Sequence, residues 1–155
     1  MLRLSKLTDY GVVVLSHMAR RSGRLLCAGE VAEMTLLPEP TVAKILKLLA
    51  RENIVQSLRG AQGGYILERD LSEISVAALV TALDGPVALT ACVDGQEGAC
   101  SVESLCPMRG GWDRVNAAVR AALESVTLAE VAGPIRPLPE APAVAAGRLE
   151  AAPRI

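Results

Sequence analysis

The chain has 155 residues, 51% of them hydrophobic, with no Phe, one Trp and two Tyr, and its formal net charge is −1. That length bounds it to one domain, or to a small domain with an arm and a tail, and the aliphatic composition suits packed helices better than a β-sandwich. No run approaches the ~18 unbroken apolar residues of a membrane helix. The opening MLRLSKLTDYG has no long apolar stretch before a cleavage site, which argues against a secretory leader and for the cytoplasm, where thiols stay reduced.

The small net charge conceals a partition. Residues 1–70 hold 10 Lys/Arg against 7 Asp/Glu, and residues 71–155 hold 6 against 10. A polyanion would therefore sit on the first half.

In chain order, KLTDYGVVVLSHMAR (6–20) reads as a helix, with Leu7, Gly11, Val14, Leu15 and Met18 on one stripe. RSGR turns the chain, and CAGEVAEM (27–34) forms a short second helix. TLLPEP breaks it with its prolines, and TVAKILKLLARE (41–52) makes a third. In that third helix Val42, Ile45, Leu46 and Leu49 face inward, while Thr41, Lys44, Lys47 and Arg51 take the other faces. Two β-prone runs, IVQSL and YIL, flank the Gly-rich RGAQGG and read as a hairpin. Helix, short helix, turn, basic helix, hairpin is the order of a winged helix-turn-helix. The expected fold is mainly α with a small β-hairpin wing.

A recognition helix at 41–52 would lie in the major groove, its lysines holding phosphates more than reading bases. The wing offers Arg59 and Gln62 between glycines, small enough to enter a minor groove, and Arg3 and Lys6 add charge at the front of the first helix. The expected partner is double-stranded DNA, bound as a homodimer on a two-fold site.

SEISVAALVTALDGP (72–86) reads as a further helix, with Ser72 or Ser75 as N-cap and Gly85-Pro86 as the stop. GWDRVNAAVRAALESV (111–126) carries a narrow stripe of Val115, Val119, Ala122 and Val126, fit to pack on its own domain or on a second copy. TLAE (127–130) matches a capping box opening one last turn. Five of the nine prolines follow Gly133, and residues 133–155 read as a disordered tail. Three regions result: a DNA-binding winged helix over 1–70, a linker helix, cysteine loop and long dimerisation helix over 71–132, and the tail.

Between the last two long helices lie Cys92, Cys100 and Cys106, separated by seven and then five residues. The knuckle of closely paired cysteines usual for structural zinc is missing. An iron–sulfur cluster tolerates wider ligand spacing, and its exposed, acidic, glycine-rich setting suits an exchangeable group. A thiol redox switch is the next alternative, and zinc the third. Cys27 reads as a small core residue and His17 as packing or surface. With one histidine, no nucleophile–base pairing and no phosphate-binding glycine loop, the chain offers no enzyme site and no small-molecule substrate.

LRLSKLTDYGVVVL at the start, RGAQGGY at the wing and the three cysteines around CPMRGGW together resemble the Rrf2 family of winged-helix transcription regulators. Within it the chain looks like the IscR-like iron–sulfur regulators, especially those controlling SUF cluster assembly. The resemblance spans residues 1 to about 132. It implies a homodimer paired through the helix at 111–126, and a [2Fe–2S] cluster, or alternatively [4Fe–4S], on Cys92, Cys100 and Cys106. Here the first cysteine gap is longer than in the best-known members, and no histidine follows Cys106 as the fourth ligand. In certain relatives the position of Asp9 is acidic and supplies that ligand to the opposite subunit's cluster. The other reading of Asp9 is a carboxylate favoured by the dipole of its helix's first turn.

Overall fold

The computed structural model describes residues 3–60, 62–90, 93, 106–108 and 110–133. Its order is α1 (Lys6–Ala19), α2 (Ala28–Thr35), α3 (Glu39–Arg51), β1 (Gln56–Leu58), β2 (Gly64–Ile66), a 3₁₀ turn (Leu71–Glu73), α4 (Val76–Asp84), α5 (Gly111–Glu124) and α6 (Leu128–Ala132). This is the mainly helical fold with a two-stranded wing that the sequence leads one to expect.

Aliphatic side chains alone build the centre. Val14, Leu15 and Met18 of α1, Val31 of α2, and Val42, Ile45, Leu46 and Leu49 of α3 are all buried. The same cluster continues through Ile54, Val55 and Leu67 around the wing to Leu79 and Leu83 of α4 and Leu128 of α6. The inward set of α3 is the one its helical spacing dictates. Against α4, α1 approaches closely at Gly11, where a Cβ would lie 2.5 Å from Leu83 Cδ1.

β1 and β2 pair antiparallel, Ser57 opposite Tyr65. Leu26 joins the pair from the other side, its N–H donating to Tyr65 O (3.0 Å) and its carbonyl accepting from Tyr65 N (2.8 Å). The doubled glycine of GGY follows from this crowding: a Cβ on Gly63 would sit 2.5 Å from Leu58 O, and one on Gly64 2.7 Å from Leu26 O.

Three local expectations differ from the structure. α3 begins at Glu39, two residues early, with Pro38 as N-cap and Pro40 inside the first turn. Proline has no N–H to lose there, so the residues read as a break begin the helix. The helix expected over 72–86 is split into the 3₁₀ turn, capped by Asp70, and α4, capped by Ser75, whose Oγ accepts from Ala78 N. Cys27 is not a core residue. It is exposed and N-caps α2, Sγ accepting from Glu30 N (3.4 Å) while the Glu30 carboxylate accepts from Cys27 N (2.8 Å). The bond from Cys27 N–H, and after it the Cys27 side chain, hold the Glu30 carboxyl below its ordinary pKa. The capping box at 127–130 forms as read, and the Thr127 N–H and then its hydroxyl lower the Glu130 carboxyl likewise.

α5 is held at both ends. Val76 N donates to Val126 O (2.9 Å) and Leu128 N to Ile74 O (2.8 Å), tying the α5–α6 junction to the start of α4. In its first half, buried Asn116 accepts from Leu89 N and donates to Val87 O, both at 3.0 Å. The outer stripe is largely uncovered by its own chain: Val115 is 45% and Val126 37% exposed, Ala122 is also exposed, and Val119 between them is half-buried. No described helix is long and apolar enough to cross a membrane.

Candidate nucleic-acid interface and cysteine segment

α3 presents Lys44, Lys47 and Arg51 to solvent and keeps Thr41 half-buried. Lys44, Lys47 and Arg51 meet Ser57 of β1 and Tyr65 of β2 around one open groove of about 580 Å³. Lys44 and Lys47 form no ion pair with any described residue, whereas Arg51 Nε lies 3.2 Å from Glu52 Oε1. Two ammonium groups without a described ion pair, on a helix that packs against the hairpin, give this groove a positive rim of the kind a phosphate backbone requires. Sequence reasoning does not single out Ser57 and Tyr65. Their signal is the strand alternation that places both on the pair's α3 side.

The other expected DNA-facing residues lie apart from this groove. Arg59 and Gln62 are exposed on the hairpin connection. Arg3 and Lys6 instead line a second groove of about 340 Å³ that includes Asp9, Leu4 and Val131.

Asp9 is exposed, and its carboxylate bonds to no described group. The first turn of α1 is capped without it, since Ser5 Oγ accepts from Leu7 N (3.1 Å) and Thr8 N (3.2 Å). Asp84, at the far end of α4, accepts from Ser5 Oγ (2.6 Å) and buried Thr8 Oγ1 (2.8 Å). His17 is half-buried, its Nδ1 2.9 Å from Val13 O, a packing position within α1.

Cys92 and Cys100 lie outside the described residues. Cys106 is free and half-buried just ahead of α5. Among the described residues no three His, Cys, Asp or Glu side chains converge on a point that would hold a metal ion.

A three-helix core, a hairpin wing and a basic groove between them define a winged-helix DNA-binding transcription regulator. Residues 4–134 match the model of the Rrf2 family, described as an iron-dependent transcriptional regulator, and the chain belongs to that family. It is 30% identical over 131 residues to the HTH-type transcriptional regulator IscR of Sodalis glossinidius, covering 84% of this chain and 78% of that protein. Among solved structures it is similar to CymR (YrzC), the global cysteine regulator of B. subtilis. That match has a TM-score of 0.59 at 27% identity and covers 85% of this chain and 97% of that one. T. potens IscR matches with a TM-score of 0.56 at 27% identity, covering 84% and 85%. These relatives are regulators, in keeping with a non-enzymatic role.

Proposed function

We propose that this regulator is a homodimer that senses iron–sulfur status through a cluster held by Cys92, Cys100 and Cys106, and that it controls cluster-assembly genes of the SUF type. One observation carries the reading: Cys106 is a free, half-buried thiol directly ahead of α5, in a chain similar to IscR. Residues 1–70 contact the operator, residues 71–132 hold the cluster and pair the protomers, and 133–155 form a tail.

The donor set fits such a group. Three thiolates are soft ligands suited to iron with sulfide, and a cluster, [2Fe–2S] in preference to [4Fe–4S], requires one more donor. Asp9 is available for it, because Ser5 and not Asp9 caps α1 and the carboxylate is free among the described residues. A carboxylate is a hard donor beside three thiolates, so the corner it holds exchanges readily. When bound, the cluster supplies a centre responsive to oxidants and iron supply. The chain does the rest. Asn116 anchors the start of the cysteine segment to α5. The exposed stripe of Val115, Ala122 and Val126 pairs two protomers and sets the spacing of their α3 helices. Lys44, Lys47 and Arg51, with Thr41, occupy the major groove. Arg59 and Gln62 lie at the minor groove, and Arg3 and Lys6 reach flanking phosphates.

Anaerobic purification of the full chain with iron and sulfide analysis tests this. The expected result is a coloured protein carrying both elements, with colour lost in Cys106→Ala. A colourless, iron-free protein that still binds DNA, and whose binding responds to thiol oxidants, would establish instead a disulfide-forming thiol sensor. The similarity to CymR supports that second reading, with Cys92, Cys100 and Cys106 as its thiols.

A further inference from the structure

Residues 36–40, which lead from α2 into α3, differ in character from the rest of the DNA-facing surface. Leu36 is 79% exposed, more than any other large apolar side chain among the described residues. It also adopts a left-handed backbone, φ 58° and ψ 23°, as C-cap of α2. Glycine takes that conformation without cost, whereas a bulky residue is strained there. Leucine at this position is thus doubly unfavourable, strained and wetted, and no packing within the chain offsets it. The next residue, Leu37, does pack against the core.

The apolar character continues into α3. Pro38 and Pro40 are exposed and Ala43 is half-exposed. The only carboxylate here, Glu39, lies back over α2: a Cβ on Gly29 would be 3.7 Å from Glu39 Oε1. The cations come a turn or more later, at Lys44, Lys47 and Arg51. Half-buried Thr41 aside, the leading end of the recognition helix therefore offers methyl and methylene groups where hydrogen-bonding side chains would read base edges. In the major groove the one apolar feature of a base pair is the thymine 5-methyl group.

We infer that the entrance of α3 reads thymine through its 5-methyl group, with Leu36 as the principal contact and Pro40 and Ala43 completing an apolar lip, while the lysines behind hold phosphates. This rests on the proposal that α3 enters the major groove.

The test uses the full chain and a duplex operator selected by it from random sequence. Thymines are replaced one at a time by deoxyuridine, which removes the methyl and leaves pairing intact. Wild type should lose about fourfold in affinity at one or more thymines, the worth of one buried methyl. Leu36→Gly should bind thymine and uracil operators equally weakly, with unchanged salt dependence and a raised melting temperature, because the strain is relieved. An operator without a uracil-sensitive thymine overturns the inference, as does uracil sensitivity that persists in Leu36→Gly. A salt dependence unaltered by Lys44→Ala and Lys47→Ala removes α3 from the groove, and both readings fall. If those lysines alter it and uracil has no effect, only the thymine reading falls.

Discussion

Replacing Lys44 or Lys47 by alanine should weaken DNA binding on every sequence and flatten its dependence on salt. Both ammonium groups are exposed and without an ion pair among the described residues, so neither must leave an internal partner to meet a phosphate. An ammonium that neutralises a phosphate releases condensed counterions, and removing that ammonium reduces the log–log slope of affinity against salt by about 0.9. Between about 50 and 200 mM salt, one fewer neutralised phosphate in each protomer of the proposed dimer, two per complex, then changes the ratio of affinities by about 12-fold. Arg51→Ala differs, because Arg51 Nε is 3.2 Å from Glu52 Oε1. Its removal leaves a bare carboxylate near the DNA backbone, so affinity at fixed salt should fall further than the slope change alone predicts. The assay is a fluorescence-anisotropy titration at four or more salt concentrations on a specific and a random duplex. An unchanged slope in both lysine variants would refute the placement of α3, whatever happened to affinity at a single salt.

Val119→Glu should dissociate the proposed dimer, because it sets a charge at the half-buried centre of the α5 stripe, where burial without a partner is costly; an intact dimer by sedimentation equilibrium would show that the stripe faces no second copy. Asp84→Ala should destabilise the fold by about 1–3 kcal/mol, since it strips buried Thr8 and Ser5 of a charged acceptor, and an unaltered urea midpoint would refute that. Glu130→Gln should cost stability at neutral pH and cost less as the pH is lowered. The Glu130 carboxyl is held below its ordinary value of 4.5, so its contribution is present above that value and lost as the pH falls through the lowered one. A stability difference independent of pH between 7 and 3 would show that its charge is not what matters.

The wing, the basic helix and the last capping box are legible in the sequence because each is a local pattern. Thr127 and Glu130 stand three residues apart, and the inward positions of α3 recur at helical spacing. Cys27 misleads for a reason that is also local. A cysteine followed three residues later by Glu30 copies the S/T-x-x-E capping box, and the thiol takes the place of the hydroxyl. Residue type suggests burial, but the spacing indicates a cap. The prolines around α3 mislead in the same way, because a proline ends a helix from inside and begins one from its first turn. Asp84 and Asn116 are another matter. Their partners lie 76 to 79 and 27 to 29 residues away, and no periodicity within either helix announces a bond that depends on how distant segments fold together. Leu36 carries no sequence signal, because exposure and a left-handed backbone are properties of the folded chain.

Those long-range bonds explain why a signal from the cysteine segment need not be lost in a loop. Asn116 holds the backbone at Val87 and Leu89 to α5 through both ends of its amide, so the segment leaves the fold already fixed to that helix. α4 precedes the segment directly. Its last residue, Asp84, holds the first turn of α1, and its start is bonded across to the α5–α6 junction. α4 also packs on α3, the helix carrying the lysines. A close-packed interior transmits strain and does not absorb it. Tension in the cysteine-bearing segment would therefore act on α5, where the proposed dimer is joined, and through α4 on α1 and α3. Contiguity transmits a displacement only where breaking it costs free energy. Asn116 is such a place: its amide joins the backbone at Val87 and Leu89 to α5, and its burial makes an unsatisfied amide there expensive. A displacement of the backbone at Val87 and Leu89 consequently carries α5 with it or breaks both bonds of the amide.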